Sequence, residues 1–475
     1  MVNKIIAELI AKGILREIPE EDRAVHISNP LTEISNGISL MDNLESTILA
    51  PPFAEAFGGA NDDSGTGVAV AGNGDIIIAG KSYSYSANYT EGVLLRVDPH
   101  GNLKWAKAFG GSGYDEFYTV ALMPNGDIIV GGRSDINSSG GDAWLMRLDP
   151  DGNVKWSKTY GLGGQHQFDR VFIDSGGNII AVGSTIDAWA SWTSTIVKVD
   201  GDTGNIIWGK KVWTTAVNNA HDVVVQGGNI WVIGKLKRNS NVAWEFFAMA
   251  LDTDGNLKWA KSYGKGDLSY TNIALAGGLS PDGNYLYVSG NTNYYGNGGV
   301  DTWTLKLDSS DGSLVWAKYF GDTGGESISG MVVLNNGDIL LVGYTNSWGA
   351  GGNDAFLLKL TANGGFGFAK TYGSSGDESL TAITRKGNAI FMVGSTNSVG
   401  AGGSEILLIR ADTGGNTTLS LFSSSSPWSI PGGTTPNEYD LIEYFGEDFS
   451  LINLGASVKD ATPNVQNITP TVTVV

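Results

Sequence analysis

The sequence predicts an all-β protein: a seven-bladed β-propeller closed by a strand from its N-terminal side. Three observations predict it. First, one phrase recurs, an aromatic residue followed two places on by lysine and two places later by a second aromatic or aliphatic residue. It leads at Phe53, Trp105, Trp156, Trp208, Trp259, Trp316 and Phe368, with Glu55 in place of lysine in the first copy. Second, the leads are spaced by 52, 51, 52, 51, 57 and 52 residues. Each period holds four strand-like runs, which is the pattern of one blade per repeat. Third, the chain holds 68 glycines and its turns are short, which suits many strands and few helices.

Residues 1–51 precede the array. Ile5, Ile6, Leu9, Ile10, Ile14 and Leu15 recur at helical spacing, and Pro19 ends that run. The segment from 19 to 51 has no clean period and is expected to be an arm. Residues 52–415 form the propeller. Its first blade reads GTGVAVAG, GDIIIAGKS, GVLLRVDP and NLKWAKAF, here termed strands a to d from the axis outward. The b runs are almost continuously apolar, as expected for strands covered on both faces. On d, the aromatic, lysine and aromatic fall at i, i+2 and i+4, hence on one face. A lysine on an outermost strand also discourages pairing between molecules.

The first d phrase, PFAEAFGG, precedes the first a strand, and the seventh a-b-c set has no good d phrase after it. Phe53 to Phe57 are therefore expected to supply the outer strand of the last blade, which closes the ring. Residues 416–475 are a C-terminal extension. An alternative reads YDLIEYFG, FSLINLGAS and TPTVTVV as strands of a degenerate eighth blade.

The net charge is −19, with the acids dispersed among turns and no basic stripe. That argues against nucleic acid or an anionic membrane as partner. With no cysteine, disulfides, thiol catalysis and cysteine metal sites are excluded. Scarce cysteine also fits a thermophile. The four histidines do not cluster in sequence, and no cofactor motif stands out, so no cofactor and no metal are expected. The N-terminal apolar run is broken by Glu8 and Lys12, unlike a signal peptide, and no run is long enough for a membrane span.

The unit WLMRLDPDGNVKWSKTYG, followed by NGDIIVGGRS-like b strands, resembles the repeats of bacterial and archaeal propellers of the SBBP (beta-propeller repeat) type. The resemblance covers about residues 52 to 415 and implies a surface or secreted protein. DGDTGNIIWGK and DSSDGSLVWAK are similar to the tryptophan turn of pyrroloquinoline-quinone-type propellers, but no vicinal cysteine pair or quinone site accompanies them. WD repeats fit less well.

Strand alternation places the d–a and b–c loops on one face and the tight a–b and c–d turns on the other. The b–c loops are rich in Tyr, Trp, Ser, Asn and Gly, a composition suited to binding. Tyr83, Tyr85, Tyr89, Trp189, Trp192, Tyr294, Tyr295 and Trp348 are the candidate ligand-binding residues. The alternative is that they only cover blade ends. Ten residues after a d lead lie Asp63, Asp115, Glu326 and Glu378, candidates for an axial carboxylate ring. They could hold a cation or basic ligand, or instead accept N–H bonds from their own glycine-rich loops. On the turn face, Asp and Gly in PNGD, NNGD and DPDGN are expected to be turn formers. Asn88, Asn137, Asn416 and Asn467 begin N-x-S/T sequons, which matter only for an exported chain.

The expected function is non-enzymatic: structure and binding at the surface of a virion or cell envelope, with the loop face engaging a receptor or glycan. The arm and tail are expected to contact other protein chains. The alternatives are a glycan-acting hydrolase or lyase with an axial site, and a cytosolic scaffold.

Overall fold

The computed structural model describes residues 50–85, 88–136, 140–161, 165–186, 192–213, 217–237, 243–264, 271–294, 299–400 and 402–417, and five short strands between 437 and 474. The expected N-terminal helix, most of the arm, Trp189, Tyr295 and Asn137 lie outside these residues. The described strands form seven antiparallel sheets, one per blade. Seven blades it is, and the eight-blade alternative is excluded: the three runs assigned to an eighth blade lie in the tail instead.

Blade one comprises a (Asp63–Val70), b (Ile76–Ser82), c (Glu91–Val97) and d (Leu103–Gly110). Blades two to six repeat this order, and neighbouring a strands touch around the ring. In blade seven the a, b and c strands are Glu378–Lys386, Ala389–Thr396 and Glu405–Asp412, and its d strand is Phe53–Gly58. Phe53 faces Arg410 and Phe57 faces Ile406 in an antiparallel register. The first strand of the array thus completes its last blade, as the orphan phrase required.

Seven apolar cores fill the seven blade junctions. The one between blades seven and one joins Phe57, Ile406, Leu408 and Val393 to Ile78, Val93 and Leu95. Every b strand is buried on both faces, which accounts for its unbroken Ile, Leu and Val content.

The recurring d phrase is a clasp onto the next blade. Trp105 packs against Gly152 in the c–d turn of blade two, where φ is +75° and a Cβ would meet the indole at 3.0 Å. Only glycine satisfies both the left-handed backbone and the close approach. Lys107 Nζ lies 5.6 Å from the Trp105 ring centroid and donates to the carbonyls of Asp151 and Gly152, each at 2.9 Å. The ammonium thus serves the neighbouring turn rather than standing in water. Tyr160, Tyr263 and Tyr372 do the same with their hydroxyls, donating to Gly204, Gly312 and Gly415 carbonyls at 2.7, 2.6 and 2.8 Å.

The turn-face acids are structural too. Asp127 of the PNGD turn receives Arg147 Nε at 2.8 Å from strand c and Lys155 Nζ at 2.7 Å from strand d. Asp75 is held in the same way by Arg96 and Lys104.

The tail adds a fifth strand to five blades. Asn437–Asp440 pairs with the d strand of blade four, Ser450–Asn453 with blade three and Ser457–Asp460 with blade two. Asn464–Asn467 pairs with blade one, and Thr471–Val474 with Glu55–Gly58 of blade seven. Among the described residues, blades five and six keep four strands.

Each a strand carries one β-bulge at the same level. The extra residues are Thr66, Tyr118, Asp169, His221, Leu275, Ser329 and Thr381. All seven are half-buried while the residues before them are buried, so they line the axis. A bulge re-aims a side chain, and it does so here seven times around one axis.

Candidate functional site on the loop face

Asp63, Asp115, Glu326 and Glu378 open the a strands of blades one, two, six and seven, and all four are buried. Each spends a carboxylate oxygen on its own d–a loop: Gly59, Gly111, Asp322 and Ser374 donate their backbone N–H at 2.7, 2.7, 2.9 and 2.9 Å. Hydroxyls complete the sets: Ser84 on Asp63 at 2.9 Å, Thr345 on Glu326 at 2.8 Å and Thr396 on Glu378 at 2.7 Å. The four do not stand in the axial layer of bulge residues. They sit at the blade junctions.

There each meets a second acid, from the start of the preceding c strand. The partners are Glu405 for Asp63, Glu91 for Asp115, Asp301 for Glu326 and Asp354 for Glu378. The meeting point is the glycine that ends the d strand. A Cβ at Gly110 would lie 1.9 Å from Glu91 Oε2 and 2.8 Å from Asp115 Oδ2. Gly58, Gly321 and Gly373 open the same gap for the other pairs. No group of three or more acids and histidines suited to a metal occurs among the described residues.

Burial, then the charge of Asp115, pushes Glu91 up to about 7, and burial also raises Asp115, Asp63 and Asp354. A group with a raised folded-state pKa contributes stability below its unfolded value, and that contribution is lost as pH rises through the folded value. Glu91→Gln stays neutral. It is expected to match the parent near pH 4 and to melt a few degrees higher at pH 8. Calorimetry across that range checks it, and equal melting temperatures at pH 8 would disprove the assignment.

The aromatic candidates separate into two groups. Tyr83 and Tyr89 are 42% and 40% exposed. Together with Asn61, Asp62, Asn88, Ala60 and Gly403 they line a cleft of about 560 Å³ between blades seven and one. Tyr114 from the next d–a loop, 40% exposed, meets Tyr89 edge-on with ring centroids 5.1 Å apart. Tyr85, Tyr294 and Trp348 are partly buried and pack against the cores beneath them. Trp192 opens the c strand of blade three opposite Ile186 and is partly buried.

Tyr114, Asn61 and Asp62 lie on d–a loops and were not legible as site residues from the b–c loops, whereas Asn88 lies in the b–c loop KSYSYSANYTEG and was read only as a sequon. A signal existed: Tyr114 is an aromatic in GSGYDE, a d–a position held by Asp62 and Gly325 in the equivalent loops.

No protein-family profile matches the chain. Among curated proteins, Regulatory protein FlaEY of Caulobacter vibrioides (strain ATCC 19089 / CIP 103742 / CB 15) is 26% identical over 325 residues, 61% of this chain and 31% of that protein. The chain thus spans about a third of that relative's length. Among solved structures, alpha-L-arabinanase of Penicillium chrysogenum aligns over 76% of this chain and 98% of its own, at 9% identity and a TM-score of 0.45. Quinohemoprotein alcohol dehydrogenase of Comamonas testosteroni aligns over 72% and 66%, at 11% identity and a TM-score of 0.38.

Proposed function

We propose that this is a non-enzymatic binding protein whose propeller displays its loop face on a virion or cell envelope and engages a receptor or glycan there. The observation that carries the reading is the tyrosine cleft. Exposed large hydrophobic side chains are scarce among the described residues, and Tyr83, Tyr89 and Tyr114 fall together on the loop face. Tyrosines with adjacent amides give contact area and adaptable hydrogen bonds at low entropy cost. The acids at the same face support a structural role, since each caps its own loop. Membership of the SBBP-type repeat group is part of this proposal, as is contact with other chains through the arm or the tail.

A glycan array with the purified chain tests it. Tyr89→Ala with Tyr114→Ala should weaken binding by ten-fold or more, about 1.4 kcal/mol or above, and leave the melting temperature nearly unchanged. Trp348→Ala should do the reverse, because Trp348 packs on the core of blades five and six. Unchanged retention by the tyrosine variant would sink the loop-face reading. Release of reducing ends from any bound glycan would make the protein a hydrolase instead.

A further inference from the structure

The ring of bulge residues is lopsided. On the side of blades five, six, seven and one, its bulge residues are Leu275, Ser329, Thr381 and Thr66. The two threonines are occupied: Thr66 Oγ1 donates to the Phe117 carbonyl at 2.7 Å, and Thr381 Oγ1 to the Gly65 carbonyl at 2.6 Å. On the side of blades two, three and four the equivalent residues are Tyr118, Asp169 and His221. Three different ionisable side chains thus hold the same structural position in three adjacent blades.

Most of the polar atoms around them are matched. Tyr118 donates to Glu116, and Gln167 donates to Asp169 Oδ1. Arg170 Nε meets Asp222 Oδ1 at 3.1 Å, and Gly277 N meets Asp222 Oδ2 at 2.8 Å. Asn219 Nδ2 donates to Ser184 Oγ at 3.0 Å. Asp169 Oδ2 and His221 Nε2 are two of fifteen buried side-chain atoms that lack a hydrogen-bond partner among the described residues, and Ser184 is the hydroxyl beside Asp169. A buried polar atom without a partner costs about 1–3 kcal/mol, so a pair of them on neighbouring inner strands points to a bound group.

The chemistry of that group follows from its surroundings. A carboxyl oxygen and an imidazole nitrogen are satisfied together by a hydroxyl, which both donates and accepts. The nearby charges are Lys235 and Arg170. Lys235 faces Asn219 across the a–b hairpin of blade four, and its ammonium lies 4.8 Å from the Trp244 ring centroid. Arg170 is matched by Asp222, while Lys235 forms no ion pair among the described residues, although the charge of Asp169 acts on it. Burial, then the positive charge of Lys235 and Arg170, holds His221 down to about 3, so the field at the imidazole is positive within a chain of net charge −19. Burial raises Asp169 to about 7, which weakens its repulsion of an anion below neutrality.

We propose that the axial sector formed by Tyr118, Asp169 and His221, with Lys235, binds a small hydroxylated carboxylate of the acidic-sugar class. The hydroxyl bridges Asp169 Oδ2 and His221 Nε2, and the carboxylate faces Lys235. This site is separate from the loop-face cleft.

Titration calorimetry with D-galacturonate, D-galactose and acetate on the full chain tests the proposal. Galacturonate should bind at least ten-fold more tightly than either of the others. Lys235→Met should bring galacturonate down to the level of galactose. Asp169→Asn, nearly isosteric, should lower galacturonate affinity several-fold with an unchanged near-ultraviolet dichroism spectrum. If Lys235→Met fails to fold, Lys235→Gln gives the same comparison. Equal binding of galacturonate and galactose overturns the carboxylate assignment. No binding of any probe overturns the site and leaves water as the occupant of the two atoms. Tyr89→Ala should leave galacturonate binding unchanged. Failure of the loop-face reading is therefore distinct from failure of this one.

Discussion

A chain shortened to begin at Gly59 is expected to lose the cooperative unfolding of the ring. The shortened protein has no d strand in blade seven, so Glu405–Asp412 becomes a bare edge. It also loses Phe53 and Phe57, which are 8% and 0% exposed in the core between blades seven and one. Removing one buried aromatic costs about 3–5 kcal/mol, so both together remove on the order of 6–10 kcal/mol. For a chain of this size that corresponds to a fall of about 10 °C or more in melting temperature. Phe57→Ala is the milder variant and should lose about 3–5 kcal/mol alone. Chemical denaturation followed by tryptophan fluorescence measures both. A shortened chain that melts with the parent would show that the strand closes nothing.

Asp127→Ala is expected to be the most damaging change on the turn face. Arg147 is only 8% exposed, and two of its nitrogens, Nε and Nη2, meet Asp127, at 2.8 and 2.6 Å. Truncating the carboxylate leaves a buried guanidinium with one ion-pair partner, Asp202, itself 86% exposed. Breaking a buried pair in this way costs about 3–5 kcal/mol. Asp338→Ala provides the comparison, since its partner Lys359 is a flexible amine, 22% exposed, and the loss should be smaller. The pH dependence follows. Burial works against a charged Asp127, but hydrogen bonds from Lys155, Arg147 and Asn125 outweigh it and hold the carboxyl below its ordinary value. Such a group contributes stability above its unfolded pKa, and the contribution is lost as pH falls through the folded value. Acid unfolding of the parent should therefore begin at lower pH than that of Asp127→Asn. Identical acid midpoints would argue that Asp127 carries no such role.

The propeller was legible because its clasp is written in large residues. Trp105, Lys107 and Phe109 fall on one face of one strand, and the partner glycine follows in the next repeat, so the period shows in composition. The orphan Phe53 phrase even gave the closure. The tail was legible only in part: YDLIEYFG, FSLINLGAS and TPTVTVV read as strand-like and each overlaps a tail strand, but their order around the blades did not show. Four-residue strands such as Thr471–Val474 carry no repeated phrase, and their partners are d strands already identified as outermost. The loop-face acids accept N–H bonds from their own loops, one of the two readings that the residues allowed. Composition says that Asp115 begins a strand, whereas its neighbour Glu91 and the gap above Gly110 are matters of packing. Asp169 was legible as an acid at a nearby offset from its d lead, but Tyr118 and His221 were hidden for another reason. A β-bulge changes which way a side chain points without changing which residues are present. Tyr118, Asp169 and His221 each lie 13 residues after a d lead (118 − 105, 169 − 156, 221 − 208), an offset that marks them only once the bulge is known.

The tail runs around the ring against the order in which the blades follow in sequence, from blade four to three, two, one and then seven. Its final strand lies over Glu55–Gly58, the strand that latches blade seven. Under a load applied at the Val475 end, the hydrogen bonds of each four-residue strand are stretched in turn rather than together. Detachment should therefore proceed by peeling, one blade at a time and at low force, beginning over the latch and finishing at blade four. The same layout gives a protease a graded target: the outer girdle can be trimmed in steps while the clasped ring beneath it keeps its shape.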